Sequence, residues 1–152
     1  MGKPGDFFVV RTTGWMAFLI RVFTRSEWNH AGVYVGSGQI IEANPDGVKV
    51  SLLTKYDTCP QLWSDLKLTP TQSTHVVASA CAQLGLGYGF RDVAAIALST
   101  IGIRIPWLHE PNTRFCSQLV AISLKDELVF TKSVDAVTPA DLARLILDQT
   151  GE

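Results

Sequence analysis

The chain has 152 residues, with 13 basic and 14 acidic side chains and a formal net charge of −1. This length is enough for one domain with a sizeable hydrophobic core. The charge balance predicts no strong attraction to nucleic acid or to an anionic membrane surface. Cys59, Cys81 and Cys116 form an odd set without paired spacing, so neither a disulfide framework nor a metal site is expected.

The chain shows no targeting or membrane-spanning pattern. Residues 1–6 reach a Gly-Asp turn at once and lack the charged and then apolar design of a secretory signal. The most apolar stretch, 93–108, is interrupted by Arg104 and Pro106 and is shorter than the roughly 20 residues of a spanning helix. We therefore expect no stable membrane insertion, and a cytoplasmic or phage-encoded protein is the simplest expectation. No cofactor is expected, and the sequence does not indicate an oligomeric state.

The first half of the chain is predicted to be mostly strands. Residues 6–11 form an apolar run that follows a Pro-Gly turn, which predicts a first strand. Between 15 and 23 the apolar residues recur at helical spacing, which predicts a short amphipathic helix. A looser run at 62–68 predicts a late strand. Strong turn sequences separate three further segments, which predict an antiparallel meander at 30–35, 39–43 and 48–53.

The second half is predicted to be helical. Thr69-Pro70 has the pattern of an N-cap followed by proline, and Gly85 has that of a C-terminal glycine, with Val77, Ala80, Cys81 and Leu84 on one face. Thr138 begins a last helix with a capping-box spacing to Asp141. Two other helices are predicted between these, at 94–98 and 115–124. The pattern as a whole predicts a single α+β domain over residues 1–152.

Cys116 is the first candidate for chemistry. It lies at the start of the predicted helix 115–124, where the helix dipole favours an anionic thiolate, especially beside an imidazole. The backbone amides of such a helix start can also hydrogen-bond an oxyanion. The alternative interpretation is an ordinary small core residue, which is what most helical cysteines are.

His30 is the candidate base, and turn geometry provides it with a partner. If Gly36-Ser37-Gly38 forms a three-residue hairpin turn, Gly32 lies opposite Glu42, and His30, Tyr34 and Glu42 share one face of the sheet. Glu42 is then diagonal to His30 and within side-chain reach. A two-residue or four-residue turn would place Glu42 on the other face.

Two alternatives to this pairing stay open at this point. Asn44 competes with Glu42 to orient His30, because the same register places it directly opposite the histidine. His109 is the second candidate base, since it precedes Cys116 by seven residues in a predicted loop. Gly32 indicates close approach of another group beside His30, because a glycine within a strand often marks such a position.

Six segments of the chain occur in an order and spacing typical of one protein family. They are Gly5-Asp6, Asn29-His30-Ala31-Gly32-Val33-Tyr34-Val35-Gly36, Ile41-Glu42-Ala43 before Gly47-Val48, Leu84-Gly85-Leu86-Gly87-Tyr88-Gly89-Phe90, Phe115-Cys116-Ser117-Gln118-Leu119-Val120, and Thr138-Pro139-Ala140-Asp141-Leu142. Together they resemble the circularly permuted NlpC-type papain-fold hydrolases, specifically the YiiX-like group. The resemblance extends from about residue 4 to about residue 146, and its specificity lies in the order of the segments.

The resemblance implies a papain-like fold, in which a small antiparallel sheet that carries the histidine packs against helices, one of which carries the cysteine. Position by position, it implies that Cys116 is the nucleophile, His30 the general base and Glu42 the residue that orients the histidine. It also places Tyr88 at an aromatic position of the family, so we expect Tyr88, together with Tyr34 on the His30 face, to contact the substrate. Gln118 departs from the pattern, because many relatives have Glu there.

These residues predict a cysteine hydrolase that acts through an acyl-enzyme. The leading hypothesis is an amidase or peptidase acting on small peptide linkages of the cell-wall type. One alternative is a lipid or thioester acyl hydrolase or acyltransferase, and another is a catalytically inactive binding or structural module of the same fold. The expected partner is a small peptide or acyl substrate, without nucleic acid.

Overall fold

A five-stranded antiparallel sheet forms the centre of the computed structural model, which describes residues 2–99, 102–103 and 112–150. The strands are β1 Phe7–Val10, β2 His30–Gly36, β3 Gln39–Asn44, β4 Gly47–Leu52 and β5 Gln61–Trp63. The sheet order is β4-β3-β2-β1-β5, so the predicted meander is confirmed and the first strand lies next to the histidine strand.

Strand β1 is buried on both faces and divides the hydrophobic interior in two. Phe7 and Val9 join the main core beneath the helices, whereas Phe8 and Val10 join a second cluster on the opposite face. This follows from the alternation of side chains along a strand, since every second residue points to the same face. The second cluster also contains Tyr56, which follows β4.

The hairpin between β2 and β3 has the predicted pairing but not the predicted turn. Gly32 pairs with Glu42 as expected, yet the loop is a two-residue turn of Ser37 and Gly38, both with positive φ. A register shift between Tyr34 and Gly36 leaves one residue unpaired. That extra residue offsets the shorter turn, because a bulge moves the register by one position. Glu42 therefore stays on the His30 face.

Within the described residues, five helices pack around the sheet or beside it. They are α1 Trp15–Thr24, α2 Pro70–Cys81, α3 Phe90–Ser99, α4 Cys116–Leu124 and α5 Pro139–Thr150. The cysteine helix α4 contacts β2 and α2, and eight of its nine residues are buried. Its Gln118 is fully buried and donates to Asp135 Oδ1 at 2.8 Å. None of the helices in the described ranges is long and apolar enough to cross a membrane.

Both predicted N-terminal capping signals are confirmed, whereas α2 ends at Cys81, four residues before the predicted C-terminal glycine Gly85. At α2, Thr69 Oγ1 accepts the Gln72 amide at 3.3 Å, and Gln72 Oε1 accepts the Thr69 amide at 2.9 Å. At α5, the Asp141 carboxylate accepts the Thr138 amide at 2.9 Å, while Thr138 Oγ1 accepts the Asp141 amide at 3.2 Å. These reciprocal bonds satisfy amides that a helix start leaves without intrahelical partners.

Several sequence-based boundaries were wrong. The late strand ends at Trp63, and α3 begins four residues before the predicted start at 94. Cys81 and Leu84 were predicted to share a face with Ala80, but both are exposed, because α2 buries Ala80 together with Val76. The patterns also missed four short elements, which are two 3₁₀ turns, Leu53–Tyr56 and Val134–Ala136, and two parallel strands, β6 Gly87–Tyr88 and β7 Thr113–Arg114.

Gly47 lies where the meander contacts the residue that precedes β6, and there is no room at Gly47 for a side chain. It has φ of +106°, and a Cβ there would lie 2.7 Å from the Leu86 carbonyl oxygen. That oxygen already accepts the Val48 amide at 2.8 Å. Gly47→Ala is therefore expected to lower the free energy of unfolding by about 1–3 kcal/mol, measured by urea denaturation.

Gly87→Ala is the matched control, because its nearest neighbour would be a Thr113 methyl at 3.4 Å, an ordinary contact. This variant is expected to unfold within about 1 kcal/mol of the parent protein. Equal losses in both variants would contradict the role given to Gly47.

Candidate active site

Cys116 lies at the first position of α4 and faces the sheet. Cys116 is only 2% exposed, and α4 packs against β2, the strand that begins with His30. The N-cap residue is Phe115, which makes no side-chain capping bond. Because the first amides of a helix have no intrahelical acceptors, the α4 start presents backbone donors beside the Cys116 sulfur.

His30 contacts both of the other predicted site residues. Its Nε2 lies 2.7 Å from Glu42 Oε2, and the Cys116 side chain is close enough to raise the pKa of the ring. Since Nε2 is occupied by Glu42, Nδ1 is the ring nitrogen available to Cys116. The structure therefore places Glu42, and not Asn44, in hydrogen-bond contact with His30. The other candidate base, His109, lies outside the described residues.

Glu42 is a fully buried carboxylate with three polar partners. Besides His30, it accepts hydrogen bonds from Lys55 Nζ at 2.5 Å and from the Tyr56 hydroxyl at 2.5 Å. Both donors belong to the 3₁₀ turn Leu53–Tyr56 after β4. A buried charge needs such partners, because desolvation otherwise costs several kcal/mol.

Lys55 and Tyr56 are the site residues that sequence reasoning missed. No helical or strand periodicity marks a single 3₁₀ turn, so the pattern gave no position for their side chains. The one available signal was the position of a Lys-Tyr pair at the end of the strand that pairs with the Glu42 strand.

The pKa values of the site favour a charged histidine. Burial lowers the pKa of His30, but its hydrogen bonds to Cys116 and Glu42, and the negative charges of those groups, outweigh burial and raise it to about 9. Burial also opposes ionisation of Glu42, whereas the bond and charge of His30, and then the Lys55 bond, hold its pKa well below the usual value. Near neutral pH, His30 is thus an imidazolium between Glu42 and Cys116.

Tyr56 supports Glu42 as a hydrogen-bond donor. Burial, and after it the bond to Glu42, raises the pKa of Tyr56 far above its usual range. Its ring also lies 5.7 Å from the His30 ring, centroid to centroid. The protonated hydroxyl therefore donates to Glu42 Oε2, whereas Lys55 donates to the other carboxylate oxygen, Oε1.

The two tyrosines that were predicted to contact substrate lie in different places. Tyr88 borders the site and packs edge-on against Phe90, with ring centroids 4.7 Å apart. Tyr34 is buried in the second cluster, edge-on to Trp63, and its hydroxyl accepts the Gly38 amide at 3.2 Å. Tyr34 lines neither of the two cavities beside the site, so its position gives no support to a substrate contact.

Two cavities meet at the site and differ in character. The apolar groove, about 460 Å³, runs between α1 and α3, and Cys116 is one of the residues that line it. The polar cleft, about 470 Å³, is lined by His30 and shares Trp15, Met16, Ile20 and Tyr88 with the apolar groove. The apolar groove is lined mainly by Trp15, Leu19, Phe23, Phe90, Val93 and Leu98. The polar cleft has a mixed lining, with the polar residues Thr12, Thr13, Asn29, His30, Asn44, Lys55 and Tyr56 beside apolar residues such as Ala17 and Ala43.

A metal-binding cluster is not found within the described part of the chain. There, no group of three or more His, Cys, Asp or Glu side chains could hold a metal ion. His30 and Glu42 bond each other, and Lys55 takes the second Glu42 oxygen. This donor set suits proton transfer beside a thiol.

The chain is similar to a curated protein in sequence and to a solved structure in fold. The chain is 32% identical over 94 residues to the probable lipoprotein peptidase YaeF of Escherichia coli K12, a match that covers 60% of the chain and 34% of that relative. It also resembles the crystal structure of the metalloprotein YiiX from Escherichia coli O157:H7, with a TM-score of 0.65 and 18% identity, over 84% of this chain and 67% of YiiX. No family model matches the chain.

The fold is that of YiiX. The α+β class, and the papain-like arrangement of an antiparallel sheet packed against helices, are thereby confirmed. The YiiX-like resemblance drawn from the sequence segments is also confirmed. The chain spans about a third of YaeF, so the catalytic roles of Cys116, His30 and Glu42 stay predictions.

The bond between His30 and Glu42 predicts a measurable titration. In the parent protein, the NMR signal of the His30 ring is expected to titrate near pH 9. Glu42→Gln removes a negative charge that favours the imidazolium, so the midpoint should fall by at least about one pH unit.

Asp46→Asn is the matched control, because Asp46 is an exposed carboxylate two residues beyond β3 that pairs with Lys49. It should leave the His30 midpoint unchanged. A midpoint that is the same in Glu42→Gln and in the parent would contradict the assigned electrostatics.

Proposed function

We propose that this protein is a cysteine hydrolase that forms an acyl-enzyme on Cys116. The observation that carries the proposal is the position of His30, whose Nε2 lies 2.7 Å from the buried Glu42 and whose ring is close enough to Cys116 for that side chain to raise its pKa. A nucleophile, a base and a residue that orients the base are the three groups that acyl transfer requires.

In the first step, the Cys116 sulfur attacks the carbonyl carbon of the substrate and forms a carbon–sulfur bond. An imidazolium at His30 favours the thiolate that makes this attack. Backbone amides at the start of α4 stabilise the negative oxygen of the tetrahedral intermediate. The bond to the leaving group then breaks, and His30 transfers its proton to the departing nitrogen or oxygen.

In the second step, neutral His30 accepts a proton from water, and the water oxygen attacks the thioester carbon. The carbon–sulfur bond breaks, which releases the acyl group as a carboxylic acid and restores the Cys116–His30 pair. Glu42 stays ionised through both steps and holds the imidazole in place. Lys55 and Tyr56 are positioning residues, since they contact Glu42 and not the reacting atoms.

An amide bond is the leading choice for the cleaved linkage. The support is the similarity to a relative that is named as a probable peptidase. Acyl ester or thioester hydrolysis is the second candidate, and the apolar groove that Cys116 lines favours it. Both activities use the same acyl-enzyme chemistry and differ in the leaving group. Comparing the rates of hydrolysis of an amide and an ester that have the same acyl group therefore distinguishes the two activities.

The three cysteines provide a direct test of the nucleophile. Cys81 is exposed, Cys59 is partly exposed and Cys116 is buried, so accessibility alone would favour Cys81. With iodoacetamide at about pH 6, we expect Cys116 to be modified first, because a neighbouring His30 imidazolium favours the reactive thiolate form of a cysteine. Mass spectrometry of proteolytic fragments identifies the modified residue.

Preferential modification of Cys81 would instead support the alternative of a catalytically inactive module. Cys116→Ala should also lower hydrolysis of amide and ester substrates by at least about a thousandfold, because no other group replaces the nucleophile. Cys81→Ala is the matched control and should keep the parent activity. Full activity in Cys116→Ala would sink the proposal.

A further inference from the structure

We propose that the acyl half of the substrate is an apolar chain held in the apolar groove, and that the leaving group is polar and lies in the polar cleft. This inference rests on the proposed function, because it assigns the two halves of the substrate relative to Cys116 and His30. Cys116 lines the apolar groove, His30 lines the polar cleft, and the two cavities share Tyr88.

The groove has the composition of a site for a hydrocarbon chain. Among the described residues, its lining contains no charged side chain, and the polar ones are Thr24, Tyr88, Cys116 and Thr138. An acyl group with an ammonium or carboxylate would lose its hydration there without gaining an ionic partner. A hydrocarbon chain would instead bury apolar surface along the whole groove.

Cys116 lines the groove, and this decides which half of the substrate the groove holds. In the acyl-enzyme, the substrate carbonyl carbon is bonded to Cys116, so the rest of the acyl group must begin at that sulfur. The other described residues that line the groove belong mainly to α1 and α3. Leu19 and Phe90, at 41% and 49% exposed, leave apolar surface uncovered along its wall. An acyl chain would cover this surface.

The polar cleft is suited to the leaving group for a separate reason. His30 donates the proton to the leaving atom, and His30 lines the polar cleft but not the groove. Asn44 lines the same cleft, and its buried Nδ2 has no hydrogen-bond partner among the described residues. An amine or alcohol with its own acceptor atoms fits such a surface better than a hydrocarbon does.

The resulting reaction converts an apolar acyl amide or ester and water into a fatty carboxylic acid and a polar amine or alcohol. Cleavage of the carbon–nitrogen or carbon–oxygen bond gives a Cys116 thioester of the acyl chain, and His30 supplies the proton to the leaving group. Water then breaks the carbon–sulfur bond, so no oxidant, reductant or further reactant is needed.

A series of p-nitrophenyl esters tests this assignment, because the leaving group stays constant while the acyl chain grows from acetyl through butyryl to octanoyl. Each buried methylene favours binding, so kcat/KM should rise by about tenfold or more from acetyl to octanoyl. The acyl adduct on Cys116 is measured in parallel by mass spectrometry after rapid quenching.

Leu19→Glu places a carboxylate in the groove and should reduce kcat/KM for the octanoyl ester by about tenfold or more. The acetyl ester does not reach that position, so its kcat/KM should stay within about twofold of the parent value. Leu84→Glu is the matched control, because Leu84 has the same 41% exposure as Leu19 and lines neither cavity. It should leave both esters unchanged.

The outcomes separate this inference from the proposed function. Acylation of Cys116 without dependence on chain length, or an equal loss for both esters in Leu19→Glu, would overturn the acyl-chain assignment and leave the cysteine hydrolase intact. Absence of a Cys116 adduct with every ester would instead overturn the proposed function. Selective loss of the octanoyl ester in Leu19→Glu alone supports the assignment.

Discussion

The buried hydrogen bond between Glu42 and His30 is the interaction on which the rest of the site depends. Glu42 is fully buried, and an isolated carboxylate in that position would be strongly unfavourable. His30, Lys55 and Tyr56 together supply the compensation. If Glu42 were displaced, the imidazole would lose both its orientation and the charge that favours its protonated form.

The partners of Glu42 come from both sides of its strand, which ties the site to the fold. His30 begins β2, Glu42 lies within β3, and Lys55 and Tyr56 lie in the 3₁₀ turn that follows β4. The pairing of three adjacent strands therefore assembles the charged cluster. The second hydrophobic cluster, which includes Phe8 and Tyr56, lies beside it. Glu42 itself is removed from water, so its hydrogen bonds to His30 and Tyr56 are stronger than they would be at the surface.

The arrangement also explains why the site has two unlike sides. Helix α4 brings Cys116 to the sheet from the main core, where α1 and α3 leave the apolar groove between them. The strand ends and the 3₁₀ turn provide polar groups on the opposite side. A reacting carbonyl at Cys116 would therefore be in contact with both environments. This asymmetry carries the assignment of an apolar acyl group and a polar leaving group.

The sequence by itself determined the local elements, their caps and the candidate residues. Strong turn sequences, helical spacing and the capping signals at Thr69 and Thr138 act over a few residues, so they can be recognised without tertiary structure. The predicted pairing of Gly32 with Glu42 was correct, but the assumed three-residue turn was wrong, since a shorter turn and a bulge give the same register.

Only the tertiary structure decided which polar groups meet and what surrounds them. The choice of Glu42 over Asn44, and the contribution of Lys55 and Tyr56, depend on side chains from separate strands that no local pattern places. Likewise, the apolar groove lies between α1 and α3, which are distant in sequence but adjacent in space, so no local pattern indicates it. Burial and cross-strand contacts are properties of the packed chain, and the sequence indicates them only through the elements that it forms.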